Sequence, residues 1–395
     1  MRVLFVTSRN VINTCGELRL IKNRAEVLET QFNVTTDYLV LRSDKVFNRA
    51  REEVVGKGIF WMTTFPKKIP FLFFSAKYRL KRKVREELRK REYSCVVLSG
   101  AGVISMTTMV RLYGAKKVLI DMHGALEELV EFKDSNICKN IVKRIFYYIA
   151  KHDEKYFIPK SDGLVVVSNS LMNYVKEKYG VNDLPFFIVP CASKRTFLDK
   201  NLQIAYREKY RRELKLSPED ILFVYSGGVS PWQNIEGLVG LFVKLNRMIT
   251  NRNAKLLILS PHKEVLNKYA NSVISVKSVS SLELSKVLCA GDFAFLLRDD
   301  CITNNVAFPN KFIEYVSSGM RIIATPYIYD IKAYLDELSI GVLYDHKAGS
   351  IDRLCKYLMN DVAYADDLPV RQKFLDDMCF ENTLIPLVAW LGEKT

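Results

Sequence analysis

The 395-residue chain holds four histidines and eight cysteines. The cysteines stand at 15, 95, 138, 191, 289, 301, 355 and 379, and no two have C-x2-C spacing. That spacing excludes the ordinary zinc and dithiol-redox motifs, and nothing resembles a secreted disulfide framework. Free thiols in a reducing cytosol are the expectation. No apolar run approaches the roughly 18 residues of a membrane-spanning helix. Met1 leads straight into Arg2-Val3-Leu4-Phe5-Val6, which reads as a strand and not as a secretion signal. Asp-x-Asp is absent, and so is G-x-G-x-x-G, which disfavours dinucleotide binding. With 49% hydrophobic and 26% charged residues, the chain is also neither disordered nor low-complexity.

What is present is positive charge, unevenly placed. The net charge is +15. Residues 1–200 hold 36 Lys and Arg against 21 Asp and Glu, while 201–395 hold 23 of each. A nucleic-acid binder basic throughout is therefore not expected. Two domains are, one of which meets something anionic.

Short Val/Ile/Leu-rich runs alternate with helix-period segments. Strands are predicted at 3–7, 34–41, 95–98, 117–120, 163–167 and 186–189, then at 221–225, 255–259, 272–277, 293–297, 321–324 and 341–344. Helices are predicted near 17–30, 76–92, 125–131, 137–158 and 170–179, then near 234–250, 263–270, 281–289, 309–318, 329–337 and 349–360. This pattern specifies α/β architecture, with parallel sheets covered on both faces. The boundaries expected are 1–200 for a basic N-terminal domain and 201–378 for a second, with a linker near 190–220. A closing helix at 379–395 crosses back to the first domain. In doubly wound folds ligands bind beyond the carboxyl ends of the strands, so the loops there are the places to look for chemistry.

The first such loop ends at Cys15-Gly16-Glu17, where Gly16 can bring backbone N–H groups to a phosphate or sugar, or can simply admit a helix. Ser99-Gly100-Ala101-Gly102 is a weaker signal of the same kind. Asp121-Met122-His123-Gly124 places a rare histidine at a strand end, with Glu127 and Glu128 following. A neutral imidazole can donate or accept toward a hydroxyl. Glu128 reads as solvated and Glu127 as able to face the cleft. Tyr225-Ser226-Gly227-Gly228 closes the first strand of the second half and allows a phosphate near backbone N–H groups. Asn234 can cap the next helix, and Trp232 can stack on a base or merely pack. The most informative stretch runs from Arg298 to Gly319. Phe308-Pro309-Asn310 opens a helix whose free N–H groups suit a diphosphate. Lys311 puts a cation in that first turn, where a cation is unfavourable unless an anion lies near. Glu314, one turn on, can accept two hydrogen bonds from a ribose diol.

The segment from Phe308-Pro-Asn-Lys-Phe-Ile-Glu-Tyr to Ile-Ile-Ala-Thr325 resembles the donor-site helix and following strand of GT-B glycosyltransferases of the family 4 type. Tyr225-Ser-Gly-Gly228, Asp162-Gly-Leu-Val-Val-Val-Ser168, Ile188-Val-Pro190 and Asp121-Met-His-Gly124 are similar to other segments of that family. The resemblance covers essentially the whole chain. It implies two Rossmann-like domains facing a cleft, a nucleotide-sugar donor on the second and an acceptor on the first. It also implies transfer with retention of configuration, without a metal or other cofactor. Glu314 then holds the ribose, His123 the transferred sugar, and Gly16 approaches the diphosphate or sugar. In two places the chain departs from the family pattern. The Glu usual eight residues before the ribose Glu is Val306, a gap that Asn304 or Asn305 can fill. The Arg and Lys usual after the first glycine of the second domain are replaced near Gly228 and Gln233. Stabilisation of the leaving diphosphate then falls to Lys311, Arg298 and the helix N-terminus.

Residues 67–92 carry eleven basic and three acidic side chains, with a Leu80, Val84, Leu88 stripe and an apolar run at 69–74. This suits an anionic membrane surface even if the stripe packs inward. The expectation is a cytoplasmic, peripheral enzyme at the inner membrane face, acting on a lipid-linked or polysaccharide acceptor in surface glycan synthesis. Nucleic acid is not an expected partner, since the aromatics cluster at one end of the basic run. The alternatives are a catalytically degenerate GT-B partner subunit and a GT-B sugar-nucleotide epimerase.

Overall fold

The structure, a computed structural model, describes residues 1–8, 16–43, 58–65, 72–191, 199–345, 350–359 and 367–393. The chain divides into two compact units, Met1–Lys194 with Met378–Thr395, and Arg195–Asp377.

The first unit is built on seven strands: β1 (Arg2–Thr7), β2 (Thr35–Ser43), β3 (Phe60–Phe65), β4 (Cys95–Ser99), β5 (Val118–Met122), β6 (Gly163–Val166) and β7 (Phe186–Ile188). They lie in the order β3-β2-β1-β4-β5-β6-β7, every pair parallel. The period of two along β1 separates the faces. Val3 and Phe5 pack with Ala25, Leu28, Phe380, Leu384 and Leu387. Leu4 and Val6 pack with Leu80, Val84 and Leu88. The stripe in the basic Leu72–Lys90 helix therefore faces the sheet, and each buried Leu or Val there contributes about 1.5–3 kcal/mol.

The second unit has six strands: β8 (Ile221–Ser226), β9 (Ala254–Leu259), β10 (Ile274–Lys277), β11 (Phe293–Leu296), β12 (Arg321–Ala324) and β13 (Gly341–Leu343). Their order is β10-β9-β8-β11-β12-β13, again all parallel. Phe223, stacked on Phe293 and Phe295, centres the core. In each sheet the order of strands reverses beside its first strand, so each has a switch point, at β1/β4 and at β8/β11.

Several elements differ from the sequence reading, among them the helices Thr107–Leu112 and Leu368–Met378, which were not expected. β3 was not expected. It joins the edge of the sheet beside β2, with Tyr38 opposite Phe60. A linker was expected near 190–220, but a helix, Lys200–Glu213, occupies its middle. The Asp199 carboxylate accepts from the Asn201 and Leu202 N–H groups at its start. Charge anchors this helix: Arg207 and Arg211 both pair with Asp292 and donate to nearby carbonyls. The closing helix is two short ones, Phe380–Thr383 and Ile385–Gly392, because Pro386 begins the second and has no N–H to continue the first.

Candidate functional site

In the second unit, β8 delivers Tyr225 and Ser226 to the switch point, and β11 delivers Arg298 two residues past its end. Gly227 follows with φ +146°. A Cβ there would lie 2.7 Å from the Lys311 Nζ and 3.0 Å from the Tyr225 hydroxyl, so only glycine fits beside the lysine. Lys311 reaches this point from the Asn310–Ser317 helix. Its Nζ donates to the Gln233 Oε1 at 2.7 Å and sits 4.1 Å from the Tyr225 ring centroid. The Tyr225 hydroxyl donates to the Gly228 carbonyl at 2.7 Å, and Ser226 N–H donates to the Tyr315 hydroxyl at 2.9 Å.

Arg298 is 4% exposed. Its Nη1 donates to the Trp232 carbonyl, and its Nε has no hydrogen-bond partner among the described residues. Thr325 holds the Arg298 backbone through both N–H and C=O. Burial pushes the Arg298 guanidinium down to about 10. Burial, and then Arg298 itself, push the Lys311 ammonium well below its ordinary value, with Glu314 opposing. Among the described residues no salt bridge joins either cation to a carboxylate. Two buried cations side by side are costly unless an anion arrives.

The Asn310–Ser317 helix starts from Pro309, and no side chain caps it. Its first N–H groups are thus left to other acceptors. Glu314 is half-buried one turn on, with its backbone carbonyl accepting from the Ser317 and Ser318 hydroxyls. Asn305 donates to Asp300 and to the Tyr329 hydroxyl, while its Oδ1 is buried without a partner among the described residues. Val306 is buried, and Asn304 donates to the Asp299 carbonyl. Asn234 caps the Ile235–Met248 helix by accepting from Gly237 N–H at 3.0 Å. Trp232 is used through its carbonyl. Arg298 thus lies by Tyr225 and Lys311, with Ser226, Gly227 and Gly228 on the adjoining strand end. Asn305 is tied to Asp300 and Tyr329 instead. Sequence reasoning passed over Tyr225 as a ring for Lys311, Gln233 as its acceptor and Tyr315 as the tether of Ser226.

In the first unit the switch point is organised around Asp121. Its Oδ2 accepts from the Ser99 hydroxyl at 2.9 Å and from the Arg24 Nη1 at 3.3 Å. The same oxygen meets the His123 Nε2 at 2.8 Å. An ionised carboxylate only accepts, so the histidine proton sits on Nε2. Asp121 and His123 are two apart on an extended segment, hence on one face. Arg24 is buried, lies 6.0 Å from the Phe380 ring and leaves Nε and Nη2 without hydrogen-bond partners among the described residues. The Asp121 pairing went unremarked, although the two-residue spacing signals it.

Glu127 is buried and accepts from Lys178 Nζ at 2.8 Å and from the Tyr147 hydroxyl at 3.3 Å. Burial works to raise its carboxyl, but Lys178 and Tyr174 outweigh that and hold it below the ordinary value. Such a carboxylate is a poor proton acceptor, and the geometry is that of a structural ion pair. Glu128 is exposed. Gly16 is the first residue of the Gly16–Thr30 helix, and the loop before it, 9–15, lies outside the described residues. Gly102 packs against Ser8 and Phe73. Among the described residues no three His, Cys, Asp or Glu side chains are placed to share a metal ion, and no helix is long and apolar enough to cross a membrane.

No family model and no curated protein matches the sequence. Solved structures do match it. A glycosyltransferase from Rickettsia africae is 13% identical with a TM-score of 0.67, covering 100% of this chain and 99% of its own. WaaG, a glycosyltransferase involved in lipopolysaccharide biosynthesis, is 11% identical with a TM-score of 0.67, over 99% of this chain and 100% of its own. HepE of Anabaena, in complex with UDP, is 11% identical with a TM-score of 0.66, over the same shares. At such identities the likeness concerns architecture, and it extends over the full length: the chain has the GT-B fold of glycosyltransferases.

Proposed function

We propose that the protein is a retaining glycosyltransferase. It takes a sugar from a UDP- or GDP-sugar and passes it to a lipid-linked or polysaccharide acceptor in surface glycan synthesis. The observation that carries this is the pair Arg298 and Lys311, buried together at the β8/β11 switch point without a salt bridge to any described carboxylate. A nucleoside diphosphate supplies the missing charge. As the sugar leaves, negative charge grows on the diphosphate. The two cations, the N–H groups around Gly227 and Gly228, and those of Asn310 and Lys311 at the uncapped helix start are positioned to stabilise it. These groups take the part that a divalent ion plays in metal-dependent transfer. Glu314 accepts from the ribose hydroxyls. Asn305, whose carbonyl oxygen is unused, is assigned to the sugar in place of the family's Glu at Val306. His123, oriented by Asp121, is assigned to the transferred sugar. Gly16 is assigned to backbone approach, and Glu127 to holding the segment after His123.

Two fold neighbours support the reading. HepE is seen with UDP and with UDP-glucose, and WaaG works in lipopolysaccharide synthesis. The acceptor is assigned to the basic first unit, at an anionic membrane surface on the cytoplasmic side. Part of the expected docking segment 67–92, residues 67–71, lies outside the described residues. A thermal-shift panel of UDP, GDP, ADP and CMP tests the donor assignment, because a ligand that binds only the folded state raises its melting temperature. UDP or GDP should shift it and CMP should not; no shift with any of the four refutes the donor site.

A further inference from the structure

The Ile137–Phe157 helix of the first unit is built inside out. Its two buried residues are Ala150 and Glu154, the latter held by the Tyr179 hydroxyl. Its solvent side carries an apolar stripe that also includes the exposed His152. Ile137, Ile141, Ile145, Tyr148, Ile149 and Tyr156 are exposed, Ile137 at 75%, Tyr148 at 66% and Ile145 at 55%. At 100° per residue these six fall within about a third of the helix circumference. Arg144, Lys151 and Lys155, all exposed, line one edge of that stripe. Neither acidic residue of the helix is exposed.

Beside this helix lies the basic Leu72–Lys90 helix. Phe73 packs edge-to-face on Phe146, with ring centroids 6.0 Å apart, and Phe74 and Tyr78 are exposed at 62% and 65%. Exposed isoleucines and tyrosines aligned along one helix face and edged by cations mark an interaction surface. A second copy of the chain would meet the cationic rim with an equal one and would offer no exposed carboxylate from this helix in return. A bilayer with anionic headgroups answers both parts: acyl chains take the isoleucines and phosphates take the rim.

We propose that the Ile137–Phe157 helix, with Phe74 and Tyr78 beside it, is a docking face that lies in the plane of an anionic lipid surface. At about 1.5 Å per residue the helix lays roughly 31 Å along it. The inference deepens the membrane part of the reading above and does not depend on the donor part. It also moves the insertion from the 67–92 segment to a helix the sequence reading treated as ordinary.

Flotation of the full chain tests it, using vesicles of phosphatidylcholine alone and of phosphatidylcholine mixed equally with phosphatidylglycerol. Two triple variants are compared, Ile141→Gln with Ile145→Gln and Ile149→Gln, and Arg144→Gln with Lys151→Gln and Lys155→Gln. All six positions are exposed, so both should fold and keep the UDP thermal shift. Wild type should float with the anionic vesicles only. The isoleucine variant should bind them at least about tenfold more weakly. The basic variant should lose about fivefold per residue, on the order of a hundredfold together. Wild-type flotation with neither vesicle, or equally with both, overturns the proposal, as do variants that float like wild type. So does an isoleucine variant that floats normally while light scattering shows a dimer become a monomer, since the face then belongs to a second copy. A wild type that floats but shows no UDP shift breaks the donor reading and leaves this one standing.

Discussion

The two switch points share a topology and differ in charge. At β1/β4 the buried Arg24 has a carboxylate, Asp121, which Ser99 and His123 also use. At β8/β11 the buried Arg298 and Lys311 have Gln233, the Trp232 carbonyl and the Tyr225 ring, and no salt bridge. The first site sets a carboxylate against its cation; the second, among the described residues, does not. This inverts what net charge suggests, because the basic half of the chain pairs its switch-point cation, Arg24, with a carboxylate. The neutral half holds uncompensated positive charge where it is most costly and of most use.

The contrast breaks first on Arg24→Met. Removing this cation strands the Asp121 carboxylate in the interior and should destabilise the protein by about 3–5 kcal/mol in urea denaturation. A neutral result would mean that the pair contributes nothing. Arg298→Met should weaken UDP binding on the order of a hundredfold by titration calorimetry, as truncation of a buried cation against an anion does. Unchanged affinity would remove Arg298 from the site. Glu314→Ala should cost about tenfold in the same titration and leave stability within about 0.5 kcal/mol; equal affinity would misplace the ribose.

The smallest effect is the pH dependence. The free protein releases the Lys311 proton at a lower pH than an ordinary lysine does, because of burial and Arg298. A bound diphosphate restores the charge, so binding takes up a proton. UDP affinity should fall as pH rises through the free-state value, by no more than about tenfold per unit. Across the window up to the ordinary lysine value the unfolded chain holds more protons than the folded one. Stability of the free protein should therefore rise with pH there. An affinity that is flat in pH would show that Lys311 keeps its charge without a ligand.

Much of this architecture is legible in the sequence. The central strands β8 and β11 of the second sheet follow apolar runs, because a parallel strand buried on both faces has no alternative composition, while the edge strand β10 alternates buried and exposed residues. β3 was legible too: Phe60, Trp61, Thr63, Thr64 and Phe65 are strong strand formers, but the polar stretch before them hid the run. The Lys200–Glu213 helix was not legible, since arginines that clamp Asp292 look on paper like a solvated linker. At the β8/β11 switch point Lys311 drew attention in the sequence because a cation in a first helical turn runs against the helix dipole. Its neighbours Tyr225 and Gln233 come from other elements, and no local pattern announces them. The apolar outer face of the Ile137–Phe157 helix escaped notice for a related reason. Periodicity reveals a stripe and does not say which side of it faces the sheet.

The central claim is that Lys311 is kept buried at the expense of the empty protein's stability in order to meet an anion. Thermal denaturation of Lys311→Met with and without UDP tests it most directly. The account predicts that the free variant melts above wild type, by on the order of 1–3 kcal/mol in stability, and no longer shifts with UDP. A variant that melts below wild type and still shifts with UDP would contradict it.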